Sequence, residues 1–459
     1  KVEEPLLWNT GRRYYYKGNL VASARGGGIF EKPKISLEDG YKKLSLEPVN
    51  VKLMVEKNLK ALEVLENEAI DFIQDTFKKY KDKVDQVIVS YSGGKDSQVV
   101  LDLVSRTLSP DDYIVIFADT TMEIPPTYEM YEKTKEYYTN IYPNLKFYVA
   151  RNEKHSLELW KIFGPPSRIL RWCCSVYKTS PQVRLIKALN PEKDKIKTLV
   201  FDGVRADESA RRGGYERIAD GVKHIVQTNA EVIKHWNLSE VYLCLYKANI
   251  RDKENRLIIN KGYRYGLERV GCSICPFGSP WSEFIIKQAF PELADGYLEI
   301  IKEHIRYLGL EEEKEIKRYI EEGSWKKRGG GEGVERDGVC VNILEDSGSF
   351  KAVISNPREN MYEWLKILGN INCKKENNNT LCELNFDNEI FNISISTLPN
   401  KLVVDYTSNA NNDNFLNKLK KVVYKTTYCI HCGVCEAECT SRALRVFPKV
   451  KINQNKCRH

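Results

Sequence analysis

The sequence contains no uninterrupted apolar run of eighteen residues, and no basic segment followed by a short apolar core opens it. The first absence gives no indication of a transmembrane helix. The second gives no indication of export. We therefore expect a cytoplasmic protein with no membrane partner.

The composition is that of a globular protein. The 459 residues are 42% hydrophobic and 29% charged, enough for several domains. The net charge of +8 permits an anionic nucleotide or RNA partner without requiring one, and the oligomeric state stays open. Thirteen cysteines without a secretory signal favour metal ligation over disulfides. We expect four of them to be ordinary buried thiols, namely Cys244, Cys340, Cys373 and Cys382.

Strand-like and helix-like segments alternate from residue 84 to about 205. The predicted strands are 87–89, 113–120, 145–150 and 197–203, and the predicted helices are 125–141 and 179–189. This alternation predicts an α/β fold with a doubly wound parallel sheet. Ligands of such sheets bind outside the carboxyl ends of the strands. The runs SGGKDS, ADTTMEIPPTY and DGVRADESARR all lie at such ends.

The rest of the chain is expected to form smaller parts. We predict a β-rich segment with one long helix over 51–82 in residues 1–82, the nucleotide-binding domain in 83–325, a Gly/Arg-rich linker in 326–339, a small α/β module in 340–425, and a cysteine-dense tail in 426–459. The Asn-rich run KKENNNTL is predicted to be a hairpin turn.

The run SYSGGKDS, Ser90–Ser97, joins the first predicted strand to a predicted helix. Gly93 and Gly94 allow backbone amides to approach a ligand, and the helix N-terminus carries positive partial charge. Lys95 adds a full charge. Three hydroxyl groups add donors, those of Ser90, Ser92 and Ser97. Together these groups predict a site for phosphate or sulfate oxygens, although the run is not the GxxxxGK[ST] loop of kinases and GTPases.

Two sets of cysteines have the spacing of metal ligands. In the first set, the adjacent pair Cys173 and Cys174 and the CxxC of Cys272 and Cys275 suit zinc or an iron–sulfur cluster. Adjacent ligands are unusual for structural zinc, which favours a cluster. The alternative is a core cysteine plus a redox pair.

The second set is the run CIHCGVCEAEC, with the C-x2-C-x2-C-x3-C spacing of a bacterial ferredoxin. Its cysteines are Cys429, Cys432, Cys435 and Cys439. A zinc knuckle is the alternative. In two-cluster ferredoxins the fourth cysteine binds the other cluster. We expect Cys457 to open a second such run, so the natural chain would continue past His459.

The order SGGKDS, DTT…E…TY, CC…K…P, G.RADES.R and CxxC resembles the phosphoadenylyl-sulfate and adenylyl-sulfate (PAPS/APS) reductase family of PP-loop proteins. The resemblance covers roughly residues 84–290. It implies a 4Fe–4S cluster on Cys173, Cys174, Cys272 and Cys275. It also implies that Ser92–Ser97 hold the phosphate or sulfate end, including Asp96. Asp119 and Thr120 would lie near the adenosine, and Lys178, Arg205, Arg211 and Arg212 would clamp the anhydride.

The chain departs from this family in two ways. It lacks the C-terminal Glu-Cys-Gly-x-His-type segment that carries the nucleophile, and we consider Cys340, which follows a glycine-rich run, as a weak substitute. Its complete SGGKDS loop is also closer to that of enzymes that cleave ATP between the α and β phosphates.

Three functions follow from these patterns. The first is reduction of APS or PAPS to sulfite, with Lys95, Arg205 and Arg211 in catalytic roles and electrons from a donor such as ferredoxin passing through the tail. The second is ATP-dependent sulfur transfer to tRNA or DNA, with magnesium accompanying the ATP. The third is a non-catalytic electron carrier that binds a nucleotide.

Overall fold

The computed structural model describes residues 5–458 except 194, 221–225, 252–258, 330–334, 336–337, 347–348 and 408–412. The chain divides into two compact units. One comprises Lys1–Arg151, Tyr177–Glu299 and Glu311–Lys326, and the other comprises Asn152–Val176, Ile300–Leu310 and Lys327–His459. Within the described ranges, no helix is long and apolar enough to cross a membrane.

The N-terminal segment forms a four-stranded antiparallel sheet, as its aromatic and apolar runs predicted. Its strands lie side by side in chain order: β1 (Trp8–Thr10), β2 (Arg13–Tyr16), β3 (Asn19–Gly26) and β4 (Pro33–Leu37).

The single long helix predicted over 51–82 is wrong. The structure has two helices, α1 (Val51–Lys57) and α2 (Leu59–Tyr80). They meet at Asn58, whose φ of −106° and ψ of 7° leave the helical region. Its side-chain amide donates to the Met54 carbonyl at 2.8 Å. A short polar side chain that bonds to the backbone in this way competes with the helix.

The central sheet confirms the doubly wound α/β prediction. The elements are β5 (Gln86–Tyr91), α3 (Lys95–Ser105), β6 (Ile114–Asp119), α4 (Pro125–Ile141), β7 (Lys146–Arg151), α5 (Ser156–Phe163), α6 (Trp172–Cys174), α7 (Ser180–Leu189), β8 (Lys197–Asp202), α8 (Ala210–Gly213), β9 (Ile218–Asp220) and β10 (Val226–Glu231). The strand order is β7-β6-β5-β8-β10-β9. The first five strands are parallel, and β9 adds an antiparallel edge that the sequence did not predict.

Both faces of this sheet are buried. Val87 and Val89 of β5 pack into a large cluster that includes residues of α2, α3, α4 and the later helix α9 (Leu238–Arg251). Ile88, between them, packs into a second cluster with Ile186 of α7. Successive residues of a strand point to opposite faces, so burial on both sides explains the unbroken β-branched run of β5.

The chain continues through helices and short turns. These are α10 (Pro280–Ala289), α11 (Pro291–Tyr307), α12 (Glu313–Glu321), the 3₁₀ turns Ala206–Glu208, Lys261–Tyr265 and Ser324–Lys327, and a π-helical turn at Ser175–Thr179.

Two of the first three residues of the predicted linker 326–339 are buried, Lys326 and Arg328, whereas Lys327 is exposed. Lys326 is 4% exposed, and its Nζ contacts Glu283 Oε1 at 2.5 Å and Gly278 O at 3.1 Å. Arg328 is also buried and donates to the carbonyls of Phe163 and Pro165. Residues 330–334 and 336–337 of this predicted linker lie outside the described residues. The basic run KKRGGG therefore supplies two cations to the interior, each with protein partners.

The second unit contains an antiparallel sheet. Its elements are β11 (Cys340–Asp346), β12 (Ser349–Ser355), α13 (Met361–Leu365), β13 (Asn370–Glu376), β14 (Asn379–Phe386), β15 (Glu389–Leu398), β16 (Lys401–Thr407), α14 (Asp413–Tyr428), α15 (Val434–Glu438), β17 (Leu444–Arg445) and β18 (Lys451–Ile452). The order of its six long strands is β11-β12-β16-β15-β14-β13. Helices α13 and α14 pack on this sheet, and β11, β12 and β13 were not predicted.

The predicted Asn-rich hairpin is confirmed, and it corrects the prediction for two cysteines. Strands β13 and β14 meet at a two-residue turn, with Asn377 at φ 53°. The register places Cys373 directly opposite Cys382, and the two form a disulfide with Cα atoms 4.1 Å apart. The prediction of ordinary buried thiols at these positions is wrong because cross-strand pairing brings the two side chains together. Cys244 is buried, as predicted.

The cysteine-dense tail shares its core with the small α/β module. Val446, Val450 and Ile452 belong to the same buried cluster as Phe350 of β12 and Trp364 of α13. Apolar burial against the sheet therefore stabilises the tail.

Candidate functional site

The SGGKDS loop lies at the carboxyl end of β5, between the neighbouring strands β6 and β8. Gly93 has φ 69°, and a Cβ atom there would lie 2.9 Å from Thr127 Cγ2. Only glycine fits this position without strain. Ser97 Oγ donates to Gly94 O at 3.0 Å and lies 3.1 Å from Ser92 Oγ. The hydroxyl groups thus close the loop. Ser90 lies one residue before the end of β5.

Two residues that the sequence analysis missed hold this loop. Asn260 is buried, and its Nδ2 donates to Gly93 O at 2.9 Å and to Thr127 Oγ1 at 3.1 Å. The Tyr263 hydroxyl accepts from the Lys95 amide at 3.0 Å. Both residues lie at the turn Lys261–Tyr265, far along the chain from the loop. No local motif marked them.

Lys95, Asp96 and Arg205 form a buried ion triad at the start of α3. Lys95 and Arg205 are each 3% exposed. Lys95 Nζ lies 2.9 Å from Asp96 Oδ2, and Arg205 Nε lies 2.7 Å from Asp96 Oδ1. Burial lowers the pKa of Lys95; Asp96 opposes this shift, while Arg205 and Arg269 add to it. Arg205 Nη1 also pairs with Asp207, so the two buried cations are held by two carboxylates, and Asp96 bridges them.

Further arginines surround the triad. Arg212 of α8 contacts Glu208, and its pKa is lowered by burial and by Arg269. Arg269 has no sequence motif and was not predicted. Arg211 is exposed on α8. Cations gathered at a helix N-terminus form a site for a multiply charged anion.

A pair of carboxyl groups lies next to this site. Asp202 ends β8, and Glu231 ends β10 directly opposite it in the strand register. Gly203 follows Asp202, and a Cβ atom there would lie 2.9 Å from the Asp96 carbonyl carbon. Burial raises the pKa of Asp202 to about 6, and burial together with Asp202 raises the pKa of Glu231 to about 7. Glu231 Oε2 is buried and accepts no hydrogen bond from any described residue.

The polar side chains at the end of β6 form hydrogen bonds with other side chains of the protein. Asp119 is buried and accepts from Tyr128 OH at 2.9 Å and from Arg151 Nε at 2.6 Å. Thr120 Oγ1 donates to Glu123 Oε1 at 2.7 Å. The contact of Asp119 and Thr120 with adenosine stays a prediction.

The structure brings Cys272 near the end of β6. Its Sγ lies 3.5 Å from Thr120 Oγ1, and its backbone bridges to Glu123. Burial raises the pKa of Cys272, while Lys178 lowers it and Cys275 raises it. Cys173 and Cys174 lie on α6, which belongs to the other compact unit. The four-thiolate cluster on these cysteines stays a prediction.

The tail cysteines fall into two groups. Cys429, Cys432 and Cys435 line a cavity of about 800 Å³ in the second unit. Lys425 Nζ donates to Cys435 Sγ at 2.8 Å. Cys457 lies elsewhere in the tail, where burial and the neighbouring Cys439 raise its pKa.

This grouping fits the donor chemistry of iron–sulfur ligation. Among the described residues, no three His, Cys, Asp or Glu side chains stand close enough to hold a single metal ion. Thiolates of a four-iron cluster bind different irons, so they need not meet around one ion. Three thiols around one cavity suit such a cluster. Cys340, the weak nucleophile candidate, is the first residue of β11 opposite Ser355 and stays a prediction.

Parts of this chain are similar in sequence to known proteins. Residues 86–277 match the phosphoadenosine phosphosulfate reductase domain. An uncharacterized protein of Methanocaldococcus jannaschii is 32% identical over 274 residues, 60% of this chain and 52% of its own length. A second protein of that organism is 28% identical over 290 residues, 62% of this chain and 65% of its own length. The chain thus spans about half to two thirds of these relatives.

Two further similarities involve named reductases. Adenosine 5'-phosphosulfate reductase 2 of Bacillus subtilis is 26% identical over 225 residues, 46% of this chain and 80% of its own length. A crystal structure of phosphoadenylyl-sulfate reductase from Candida auris is 17% identical, with a TM-score of 0.32, and covers 50% of this chain and 97% of its own. Residues 86–277 are thus similar to the phosphoadenosine phosphosulfate reductase domain, and the chain is similar to adenosine 5'-phosphosulfate reductases over a little less than half of its length.

Proposed function

We propose that this chain binds an adenine nucleotide that carries an acid anhydride, and that it reduces adenylyl sulfate or its 3'-phosphorylated form to sulfite. The observation that carries the proposal is the buried triad of Lys95, Asp96 and Arg205 at the first strand–helix loop. The family match and the curated APS reductases support the substrate class.

The site would bind the anhydride with groups that are already oriented. Asp96 holds the two cations side by side before the anion arrives, and Tyr263 and Asn260 hold the loop. Donors in fixed positions cost little reorganisation when charge develops. The amides at the start of α3 and the two cations would therefore face the sulfate or phosphate oxygens.

The proposed reaction breaks the bond between sulfur and the bridging oxygen. Two electrons from a reduced donor, a ferredoxin or a dithiol, convert sulfur from +6 to +4 and release sulfite. The bridging oxygen stays with the nucleotide, which leaves as AMP or its 3'-phosphate. Lys95 and Arg205 would stabilise the negative charge that grows on that oxygen.

Iron–sulfur ligation is part of the proposal. Cys173, Cys174, Cys272 and Cys275 would hold one 4Fe–4S cluster, and the tail cysteines would hold one or two more. Such clusters supply one-electron transfer. Within this chain, Lys178 provides positive charge beside Cys272, and Lys425 provides it beside Cys435.

Sulfite release tests the proposal. Anaerobic protein is incubated with adenylyl sulfate or its 3'-phosphorylated form and with a reduced donor. We expect sulfite from one of the two substrates, and about a hundredfold less from Lys95→Met. A parent protein that binds the nucleotide tightly but releases no sulfite would contradict the reductase function.

A second candidate is ATP-dependent sulfur transfer to a nucleic acid. The carboxyl pair Asp202 and Glu231 beside the loop favours it, because carboxylate oxygens are ligands of the magnesium that accompanies ATP. Release of pyrophosphate from ATP would support this function. Nucleotide binding without either reaction would support the non-catalytic carrier.

A further inference from the structure

A second cavity lies on the N-terminal sheet. It has a volume of about 600 Å³, and its lining includes Arg12, Arg13, Arg25 and Tyr15 together with Glu38. Residues 5–50 contain eight lysines and arginines against four acidic residues. This small sheet is therefore more basic than the chain as a whole.

The strand register aligns cations across three strands. Arg13 of β2 pairs with Ser23 of β3, two residues before Arg25, and Arg25 pairs with Lys34 of β4. Residues two apart share a face, and paired residues share a face. Arg13, Arg25 and Lys34 therefore form an exposed row on one face of the sheet.

Glu38 lines the same cavity as Arg13 and Arg25 but forms no ion pair with this row. Arg13, Arg25 and Lys34 form no ion pair with any carboxylate among the residues that the structure describes. Arg12 is held at the rim, where its Nη1 donates to Gly26 O at 2.8 Å and its guanidinium lies 5.7 Å from the Trp281 ring centroid. Neighbouring like charges repel one another, so a bound polyanion would stabilise the row.

The aromatic and apolar side chains favour one kind of polyanion. Tyr15 is half-buried and lines the same cavity as Arg13, and it offers a ring on which a base can stack. The exposed Ile35 and Leu37 of β4 alternate with Lys34, so they point to the opposite face. An anionic lipid surface would need apolar and basic side chains on the same face.

We propose that the N-terminal basic surface, formed by Arg12, Arg13, Tyr15, Arg25 and Lys34, binds single-stranded RNA. The cations contact successive phosphates, and Tyr15 stacks on a base. This inference does not depend on the reaction proposed above, since no residue of this surface belongs to the nucleotide site.

The test measures binding of the full chain to a fluorescent, unstructured 20-nucleotide RNA by anisotropy at several salt concentrations. We expect Arg13→Ala/Arg25→Ala to weaken binding at least about tenfold at moderate salt. The slope of log affinity against log salt should fall by about 1.4, because each lost phosphate contact on a single strand contributes about 0.7. Retained affinity for the nucleotide would show that the variant is folded.

The matched control removes two exposed charges from the other unit, in Lys374→Ala/Lys375→Ala. Unchanged RNA binding in this control supports the site. An equal loss in both double variants would attribute binding to net charge alone and overturn the proposal. Phosphatidylserine vesicles that bind in an Arg13- and Arg25-dependent way, with no binding of RNA, would overturn it as well.

Discussion

Among single residues, Lys95 tests the anion site most directly. Its ammonium group is buried beside Asp96 and opposite Arg205, so Lys95→Met leaves Arg205 as the one cation of the triad. We expect nucleotide affinity, measured by anaerobic calorimetry, to fall about a hundredfold, since hydrogen bonds to charged groups contribute up to about 3 kcal/mol. Iron content should not change. Equal affinity in the variant and the parent would remove Lys95 from the site.

Glu231 connects stability to pH. Burial and Asp202 raise its pKa from 4.5 to about 7, with Lys234 and Arg212 as opposing charges. The folded state therefore binds more protons than the unfolded chain between pH 4.5 and 7, and the free energy of unfolding falls as pH rises through this range. One pKa unit corresponds to about 1.4 kcal/mol, and solvent screens part of the interaction.

We therefore expect Glu231→Gln to gain about 2 kcal/mol of stability relative to the parent between pH 5 and pH 8, measured by urea unfolding at each pH. Glu63→Gln, at an exposed position on α2, is the matched control and should show no such trend. A Glu231→Gln difference that stays constant with pH would show that the carboxyl group has an ordinary pKa.

At the scale of an element, the turn from β5 into α3 depends on Gly93. Its φ of 69° and its distance from Thr127 Cγ2 both oppose a side chain. Gly18→Ala is a matched control, because Gly18 has φ 85° and a Cβ atom there would meet nothing within 4 Å. We expect each alanine substitution to lower the free energy of unfolding by about 1–2 kcal/mol, because alanine is strained at a positive φ. Gly93→Ala should lower it further and should weaken nucleotide binding.

A second substitution tests whether the extra loss of stability in Gly93→Ala comes from the close contact with Thr127. Thr127→Ser removes the Cγ2 atom that the new Cβ would meet, so Gly93→Ala/Thr127→Ser should recover part of the lost stability and affinity. Additive effects of the two substitutions would mean that the close contact does not constrain the loop.

At the scale of the whole molecule, the tail thiols predict how iron is distributed. Cys429, Cys432 and Cys435 share one cavity, and Cys439 lies beside Cys457. We expect Cys432→Ser to lose iron from the cavity while the cysteines in 173–275 keep theirs. Cys275→Ser should lose about four irons, since a 4Fe–4S cluster depends on its own thiolates. Loss of all iron in either variant would contradict separate clusters.

Chain length provides a second whole-molecule test. If Cys439 and Cys457 bind a cluster whose other ligands lie beyond residue 459, a longer natural chain should contain more iron than residues 1–459. Iron and acid-labile sulfide are compared in the two anaerobic preparations. Equal iron per chain would show that Cys439 serves the same cluster as Cys429.

The sequence by itself determined the parts that depend on neighbouring residues. The β-branched run before SGGKDS and the apolar spacing after it predicted β5, the loop and α3. The alternation of segments predicted the doubly wound sheet, and the Asn-rich run predicted the hairpin. Such patterns are readable because side-chain periodicity and turn chemistry act over a few residues.

Only the tertiary structure decided which distant residues meet. Asn260 and Tyr263 reach the loop from a turn far along the chain, and strand register pairs Asp202 with Glu231. Register likewise joins Cys373 to Cys382, a pairing that cysteine counting did not predict. Packing buried Lys326, which the composition had assigned to a Gly/Arg-rich linker. These outcomes depend on long-range packing and register, and local periodicity does not encode either one.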